Sequence, residues 1–419
     1  MNFPGRCRLG FSHSGPVCHD GILKFCEMDD MLIKTLLGSA MAVALILPAL
    51  ADKPSSSRQF AKAQLGQALF FDPVLSSPAG QSCATCHDPK AGFADPDRRL
   101  PVSKGVLPGR VGNRNTPTAL YAAFSPAFHF DREEGLYVGG QFLDGRAATL
   151  EEQAKGPFLN PLEMANPDKR SVVEKVRRAA YSHEFDSVFG QGALDDTEQA
   201  YARIAEALAA FERTPQFSPF SSKYDAYLAG KAKLSQQELR GLRLFEAEDK
   251  GNCAACHPSR PGPKGEPPLF TDFTYDNLGV PRNPDNPFYK LPAQLNPAGA
   301  LWVDRGLGAT VNKRSEDGKF KVPTLRNIEL TGPYMHNGYF KTLRGTVVFY
   351  NDRDKKPLCS KNLVSEDAAL KQKCWPAPEV ITNVNRDELG DLGLGEREID
   401  DIVAFMKTLT DGWQAKGKR

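Results

Sequence analysis

The sequence predicts a mainly α-helical chain in two similar halves joined by long irregular connections. Three observations carry this. A pentapeptide of the form C-x-x-C-H occurs twice, as Cys83-Ala84-Thr85-Cys86-His87 and Cys253-Ala254-Ala255-Cys256-His257. A G-x-x-L-F segment precedes each copy, as Gly66–Phe70 and Gly241–Phe245. Apolar residues elsewhere recur at helical spacing, and no convincing run of strands is expected.

C-x-x-C-H is the attachment signature of c-type haem. Two thiols on one turn can add to two vinyl groups on one porphyrin edge. The His that follows is then held under the iron as its proximal ligand. A zinc ribbon wants a much shorter span between its Cys pairs and no His after each. A thioredoxin-like motif wants one pair in a βαβ context, which is absent. The chain therefore reads as holding two covalent haem c groups, through Cys83, Cys86, His87 and Cys253, Cys256, His257. With the repeat, this gives two cytochrome-c-like haem domains from an old duplication, at residues 52–220 and 221–419.

Each G-x-x-L-F segment reads as the end of an amphipathic helix leading into a haem loop. The second such helix opens with a capping box of Ser235 and Glu238, with Leu234 and Leu239 at the staple positions. Tyr201, Ile204, Leu208 and Phe211 make one helical stripe. Arg213–Ser222 carries Pro215, Pro219 and several Ser, and reads as the interdomain linker. Residues 258–323, rich in Pro, Gly and Asn, read as loops over the second haem. Ile399, Ile402, Phe405 and Leu409 form a last stripe, closed by Gly412.

A chain of 419 residues is long enough for two cores. Its 53 Lys and Arg against 51 Asp and Glu leave no charge run that suggests nucleic acid or a membrane surface. Residues 31–51 read as a signal peptide: Lys34, an apolar run from Leu36 to Leu47, and a small-residue cleavage site at Ala49-Leu50-Ala51. The run is too short for a stable membrane anchor. Residues 1–30, with Asp29 and Asp30 where a basic segment belongs, read as an upstream extension. Cys7, Cys18, Cys26, His13 and His19 then have no function. Periplasmic export, with cleavage near Ala51, agrees with haem attachment outside the bacterial cytoplasm. In that oxidising compartment Cys359 and Cys374 are expected to close a local loop as a disulfide, the alternative being two unrelated thiols.

Further motifs are Arg114-Asn115-Thr116-Pro117-Thr118, Asp144-Gly145-Arg146, Asn160-Pro161-Leu162-Glu163-Met164, Pro323-Thr324-Leu325-Arg326-Asn327 and Leu330–Gly338. With the two haem motifs, they make nearly all of residues 60–412 resemble the bacterial di-haem cytochrome c peroxidase family, including its MauG-type (methylamine-utilisation) branch. The resemblance implies that the first haem meets peroxide and the second handles electrons. It implies Glu163 as acid/base, Gln153 as its polar partner and Pro157 as part of the distal wall. By themselves, Glu163 reads as a helix-start carboxylate and Gln153 as a solvated helix residue.

Residues 88–128 contain no His. The first haem is therefore expected to be five-coordinate, without the removable distal His common in the family. His129, between Phe128 and Phe130, reads as a packed or haem-edge residue, and His183 as structural. For the second haem, Met335, His336, Met406 and Tyr350 are candidate sixth ligands, Met406 reading as core. The peroxidase branch places its Met fourteen residues after the His of P-Y-x-H, and that count from His336 lands on Tyr350. Tyr at that position marks the MauG-type branch. A phenolate favours Fe(III) and lowers the potential relative to Met.

The resemblance also implies a calcium ion between the haems, on Asn115, Thr331 and the Pro333 carbonyl, with water completing the shell. One position departs from the family. A Trp usually stands between the haems two residues before the Gly of D-G-R, and here it is Leu143, leaving Phe142 as a neighbouring ring. The expected function is reduction of hydrogen peroxide with electrons from a small soluble cytochrome c or cupredoxin. The alternatives are oxidative modification of a partner protein's residues, as in the MauG-type branch, and a plain di-haem electron carrier. A carrier gains nothing from an open iron.

Overall fold

The structure, a computed structural model, describes residues 53–361 and 363–415. The expected extension and signal peptide lie outside the described residues. Among those described, twelve α-helices carry the fold and four short strands add two small sheets. No described helix is long and apolar enough to cross a membrane.

The helices run in two sets. The first comprises α1 (Lys53–Phe71), α2 (Cys83–Cys86), α3 (Leu150–Leu159), α4 (Lys169–Arg178), α5 (Ser182–Phe189) and α6 (Thr197–Glu212). The second comprises α7 (Lys223–Leu228), α8 (Gln236–Glu246), α9 (Leu307–Thr310), α10 (Leu343–Asp352), α11 (Glu366–Gln372) and α12 (Glu396–Lys407). Each set surrounds its own apolar cluster. Leu69, Phe70, Ile204, Leu208 and Phe211 sit in the first, and Phe245, Phe349, Trp375, Ile402 and Phe405 in the second.

The two sets repeat one helix crossing. Gly66 on α1 faces the Ala207 carbonyl and Phe211 Cβ of α6. Gly241 on α8 faces the Asp401 carbonyl and Phe405 Cβ of α12. A Cβ built at either glycine would lie 1.9 Å from the carbonyl oxygen. Only glycine lets these backbones approach so closely. The first residue of each G-x-x-L-F segment is therefore a packing contact, and the Phe that ends it is fully buried beneath the crossing.

Local signals set the helix starts. Ser235 and Glu238 form the expected capping box on α8, and Leu234 and Leu239 both join the second cluster. Asp196 caps α6 by accepting from Gln199 N at 2.8 Å. All four residues of the Tyr201–Phe211 stripe are buried, as are all four of the Ile399–Leu409 stripe. Helix α12 ends at Lys407 with Thr408 as its cap, so Gly412 lies beyond it and does not close it.

One further expectation, that for His129, is corrected. Arg213–Ser222 runs from the first helix set to the second and is packed chain. Phe217 is buried in the first cluster, and Ser222 caps α7, whose Tyr224 joins the second. No long run of strands forms among the described residues: β1 (His129–Asp131) pairs antiparallel with β2 (Leu136–Val138), and β3 (Tyr275–Asp276) with β4 (Phe320–Lys321). They are two or three residues long, too short to leave an alternating pattern. His129 is exposed on β1, its Nδ1 2.9 Å from the Ala127 carbonyl, and lines neither haem cavity. Its aromatic neighbours suggested burial, but the ring of Phe128 turns to Tyr137 and Tyr275 instead.

Polar contacts tie the two sets together. Arg114 binds Asp304 through two bonds of 2.6 and 2.7 Å. Asp411 accepts from Tyr121 Oη at 2.7 Å, Asn327 Nδ2 at 2.6 Å and Ser221 N at 2.8 Å. Cys359 and Cys374 form a disulfide that closes the loop around α11.

Candidate active site

Each C-x-x-C-H motif opens onto a cavity. Cys83, Cys86 and His87 line the first, and Cys253, Cys256 and His257 the second. None of the four cysteines is in a disulfide. Burial pushes the Cys83, Cys86 and Cys253 thiols up to about 12. They are neutral thiols facing apolar space, the state and setting in which a porphyrin edge would meet them.

The two histidines are set for ligation in the same way. His87 Nδ1 lies 3.0 Å from the Phe93 carbonyl, and His257 Nδ1 lies 2.7 Å from the Phe270 carbonyl. A carbonyl only accepts, so each Nδ1 carries the proton and each Nε2 keeps its lone pair. Burial lowers both imidazoles, His257 to about 4, which keeps the rings neutral. A pair of free thiols, a neutral His with an open Nε2 and an apolar cavity fit a covalently bound haem at each site.

The device that holds those carbonyls is repeated and was not read from the sequence. Phe93 has φ of +53° and Phe270 of +54°, a left-handed conformation uncommon for a bulky residue. Thr118 Oγ1 donates to the Gly92 carbonyl at 2.6 Å, and Thr324 Oγ1 donates to the Leu269 carbonyl at 2.6 Å. Each hydroxyl thus pins the peptide just before its strained Phe. The Thr of each Pro-Thr pair, at 117–118 and 323–324, makes the same bond beside its motif. That shared dipeptide was the available signal.

The first cavity also gathers Gln153, Pro157 and Glu163. Gln153 and Pro157 lie on α3, four residues apart. Pro157 has no N–H to offer the Gln153 carbonyl. Glu163 sits in the Asn160–Met164 turn after α3. Asn160 Oδ1 accepts from Leu162 N at 2.9 Å, and Asn160 Nδ2 donates to Glu163 Oε1 at 2.7 Å. Burial raises the Glu163 carboxyl, against the lowering pull of Arg146 and the Asn160 bond. Glu212, at the end of α6, lines the same cavity, and burial raises it to about 7. Nothing in the sequence singles it out.

The second cavity is lined by all four candidate sixth ligands, Met335, His336, Tyr350 and Met406. Tyr350 projects from α10, with its hydroxyl 4.0 Å from Met335 Sδ. Burial pushes the Tyr350 phenol up. His336 stacks on Phe320 at 3.7 Å between centroids, which commits its ring to packing. Met406 is buried in the second cluster while edging the cavity. Asn115, Thr331 and Pro333 line this cavity too, and Asn115 N donates to the His336 carbonyl at 2.7 Å. Their oxygens are neutral donors of the kind calcium accepts.

Between the cavities stand Phe142 and Leu143, which line both. Leu143 O accepts from Lys321 N at 2.8 Å, joining this wall to β4. Arg146 lies 3.5 Å over the Phe142 ring and pairs with Asp144 at 2.8 Å. Lys321 is half-buried at the wall, and desolvation lowers its ammonium to about 8. No Trp lines either cavity. His183 is exposed on α5, away from both.

Comparison with known proteins identifies the family. The family model of di-haem cytochrome c peroxidase matches residues 60–233. The methylamine utilization protein MauG of Paracoccus denitrificans is 43% identical over 378 residues, covering 88% of this chain and 94% of that one. The chain belongs to the di-haem cytochrome c peroxidase family. The cytochrome c551 peroxidase of Nitrosomonas europaea is 36% identical over 288 residues, covering 68% of this chain and 71% of its own. Among solved structures, the diheme peroxidase BthA of Burkholderia thailandensis matches with a TM-score of 0.70 at 36% identity, covering 84% of this chain and 86% of that one. As a member of this family the chain is an oxidoreductase, and the family's cofactor is haem c.

Proposed function

We propose that this chain is a periplasmic di-haem enzyme that reduces hydrogen peroxide to water in its first cavity. Electrons would come through its second cavity from a small soluble cytochrome c or cupredoxin. Residues 52–220 would form the peroxidatic haem domain and 221–419 the electron-transfer haem domain. One observation carries the reading: a half-buried carboxyl, Glu163, lines the same cavity as Cys83, Cys86 and His87.

When bound, the haems supply irons that take up and release electrons. The chain's own residues supply the rest. His87 and His257 would hold the irons through Nε2. Tyr350, which lines the same cavity as His257, would also hold the second iron. Gln153 would orient peroxide by hydrogen bonding, and Pro157 would limit the space beside it. Glu163 would take the proton from one peroxide oxygen and return it to the other as the O–O bond breaks. Burial raises its pKa, the direction that suits a carboxyl asked both to accept and to give a proton. Asn115, Thr331 and the Pro333 carbonyl would hold a calcium ion between the two sites.

A second reading is oxidative modification of a partner protein's residues, as in the MauG-type branch. Tyr350 and the 43% identity to MauG favour it. Leu143 between the cavities, and walls without Trp, weigh against it. The test is steady-state peroxide consumption by the holoenzyme with a reduced small cytochrome c as donor. Turnover that scales with donor supports the peroxidase reading. Peroxide consumed while the donor stays reduced would reject it.

A further inference from the structure

The walls of the second cavity carry an uneven set of charges. Asp276, Asp304, Glu379 and Glu388 line it, and among the described residues Lys321 is the one Lys or Arg that does. Lys321 stands on β4 and is half-buried. Its backbone N–H is spent on the Leu143 carbonyl, which holds the strand to the wall between the cavities. Its ammonium donates to the Gly140 carbonyl and lies 3.5 Å from Ser125 Oγ. Ser125 Oγ donates in turn to the same carbonyl at 2.8 Å. An ammonium has three N–H groups. These two oxygens are both neutral, and they leave at least one N–H free to face the cavity.

No carboxylate of the described residues answers this charge. Asp144 is paired with Arg114 at 2.6 Å and with Arg146 at 2.8 Å. Asp304 is paired with Arg114 at 2.6 Å. Asp276 accepts from Asn385, which also donates to Glu388 at 2.7 Å. Glu379 Oε2 faces His336 Nε2 at 3.9 Å. A cation drawn out of water needs an anion beside it or gives up its proton. Desolvation lowers this ammonium even against the raising pull of Asp144. A neutral amide would have served to tie the Gly140 carbonyl. The charge itself is what the described residues leave without a use.

We propose that Lys321 is a haem-binding residue of the second cavity, the ion-pair partner of a carboxylate side chain of the porphyrin. The assignment rests on the reading above that puts a haem on Cys253, Cys256 and His257. Those cysteines take the vinyl edge of the ring, and the carboxylates lie on the edge away from it. Cys253 and Cys256 line the second cavity alone, whereas Lys321 hangs from the wall shared with the first through Leu143. The pairing satisfies the ammonium and fixes the ring from its carboxylate side. It also cancels a negative charge beside the iron. A less negative surrounding favours the reduced, less positive iron. Lys321 therefore raises the potential of the second haem, against the lowering pull of the Tyr350 oxygen and of the carboxyls that line the cavity.

The test compares the holoproteins of the wild type, Lys321→Met, Lys321→Gln and Lys321→Arg. The first two substitutions remove the charge, and Lys321→Gln keeps an N–H for the Gly140 carbonyl. Lys321→Arg keeps the charge. Peptide mass spectrometry locates the haems, an optically followed redox titration reads their potentials, and resonance Raman spectra read the bending band of the haem carboxylates. Lys321→Met and Lys321→Gln should lower the potential of the second haem and shift the carboxylate band. Lys321→Arg should stay near the wild type in both. With both haems in place, an unmoved potential and band in Lys321→Gln would overturn the ion pair and leave Lys321 a tie for Gly140. Equal shifts in Lys321→Gln and Lys321→Arg would overturn it too, since charge would not be the cause. A wild type without haem on Cys253 and Cys256 would overturn the haem reading and this assignment with it.

Discussion

Phe93 and Phe270 occupy the same place in the two halves. Each is in the left-handed region, and each carbonyl accepts from the Nδ1 of the haem-motif His beside it. The Thr hydroxyls behind them fix this arrangement. Thr118→Val and Thr324→Val leave the Gly92 and Leu269 carbonyls without that donor. Each should cost roughly 1–3 kcal/mol, the usual cost of an unmet buried polar group. Urea unfolding of the holoprotein reads this, and unchanged midpoints would show that the hydroxyls carry no load.

Gly66→Ala and Gly241→Ala should each force apart a pair of crossing helices, because the new methyl meets a backbone carbonyl with no room to move. Overpacking of this kind costs about 1–3 kcal/mol or more. Thermal unfolding checks it. The two substitutions should have similar effects if the crossings are equivalent.

Glu212 sets a pH dependence. Burial raises its carboxyl from 4.5 to about 7. The folded state then keeps this proton to higher pH than the unfolded chain. The stabilisation it gives is full below pH 4.5 and is lost as pH rises through about 7. Glu212→Gln should remove that fall and leave the protein more stable above pH 7, by on the order of 1–3 kcal/mol. Unfolding midpoints measured across this range decide it, and parallel curves for the two proteins would exclude a buried, protonated Glu212.

Tyr350→Met should raise the potential of the second haem, since a neutral thioether favours Fe(II) more than an anionic oxygen does. Redox titration of both proteins reads the shift. Superimposable curves would leave Tyr350 a buried aromatic and return Met335, 4.0 Å from its hydroxyl, as the ligand.

Much of this architecture was legible because covalent haem chemistry needs fixed spacing. C-x-x-C-H located both cavities, and helical stripes located α6 and α12. The Ser235–Glu238 box located the start of α8 because a cap is a local interaction. Other features depend on chain segments far apart in sequence. Phe217 packs into the first cluster from a stretch that reads as linker, since Pro and Ser signal a turn whether or not the turn is buried. His129 has aromatic neighbours in sequence but not in space. The strained Phe93 and Phe270 carry no residue-type signal, because Phe is not a residue that left-handed backbone favours.

The central claim is that Glu163 moves the proton when peroxide is cleaved in the first cavity. The direct measurement is stopped-flow optical recording of peroxide-driven haem oxidation in the wild type and Glu163→Gln. The substitution keeps the shape and removes the titratable oxygen. The account predicts near-normal peroxide binding and cleavage slowed on the order of 10²-fold or more, as for loss of a general acid/base. Equal cleavage rates in the two proteins would contradict it and leave Glu163 a half-buried carboxyl held by Asn160.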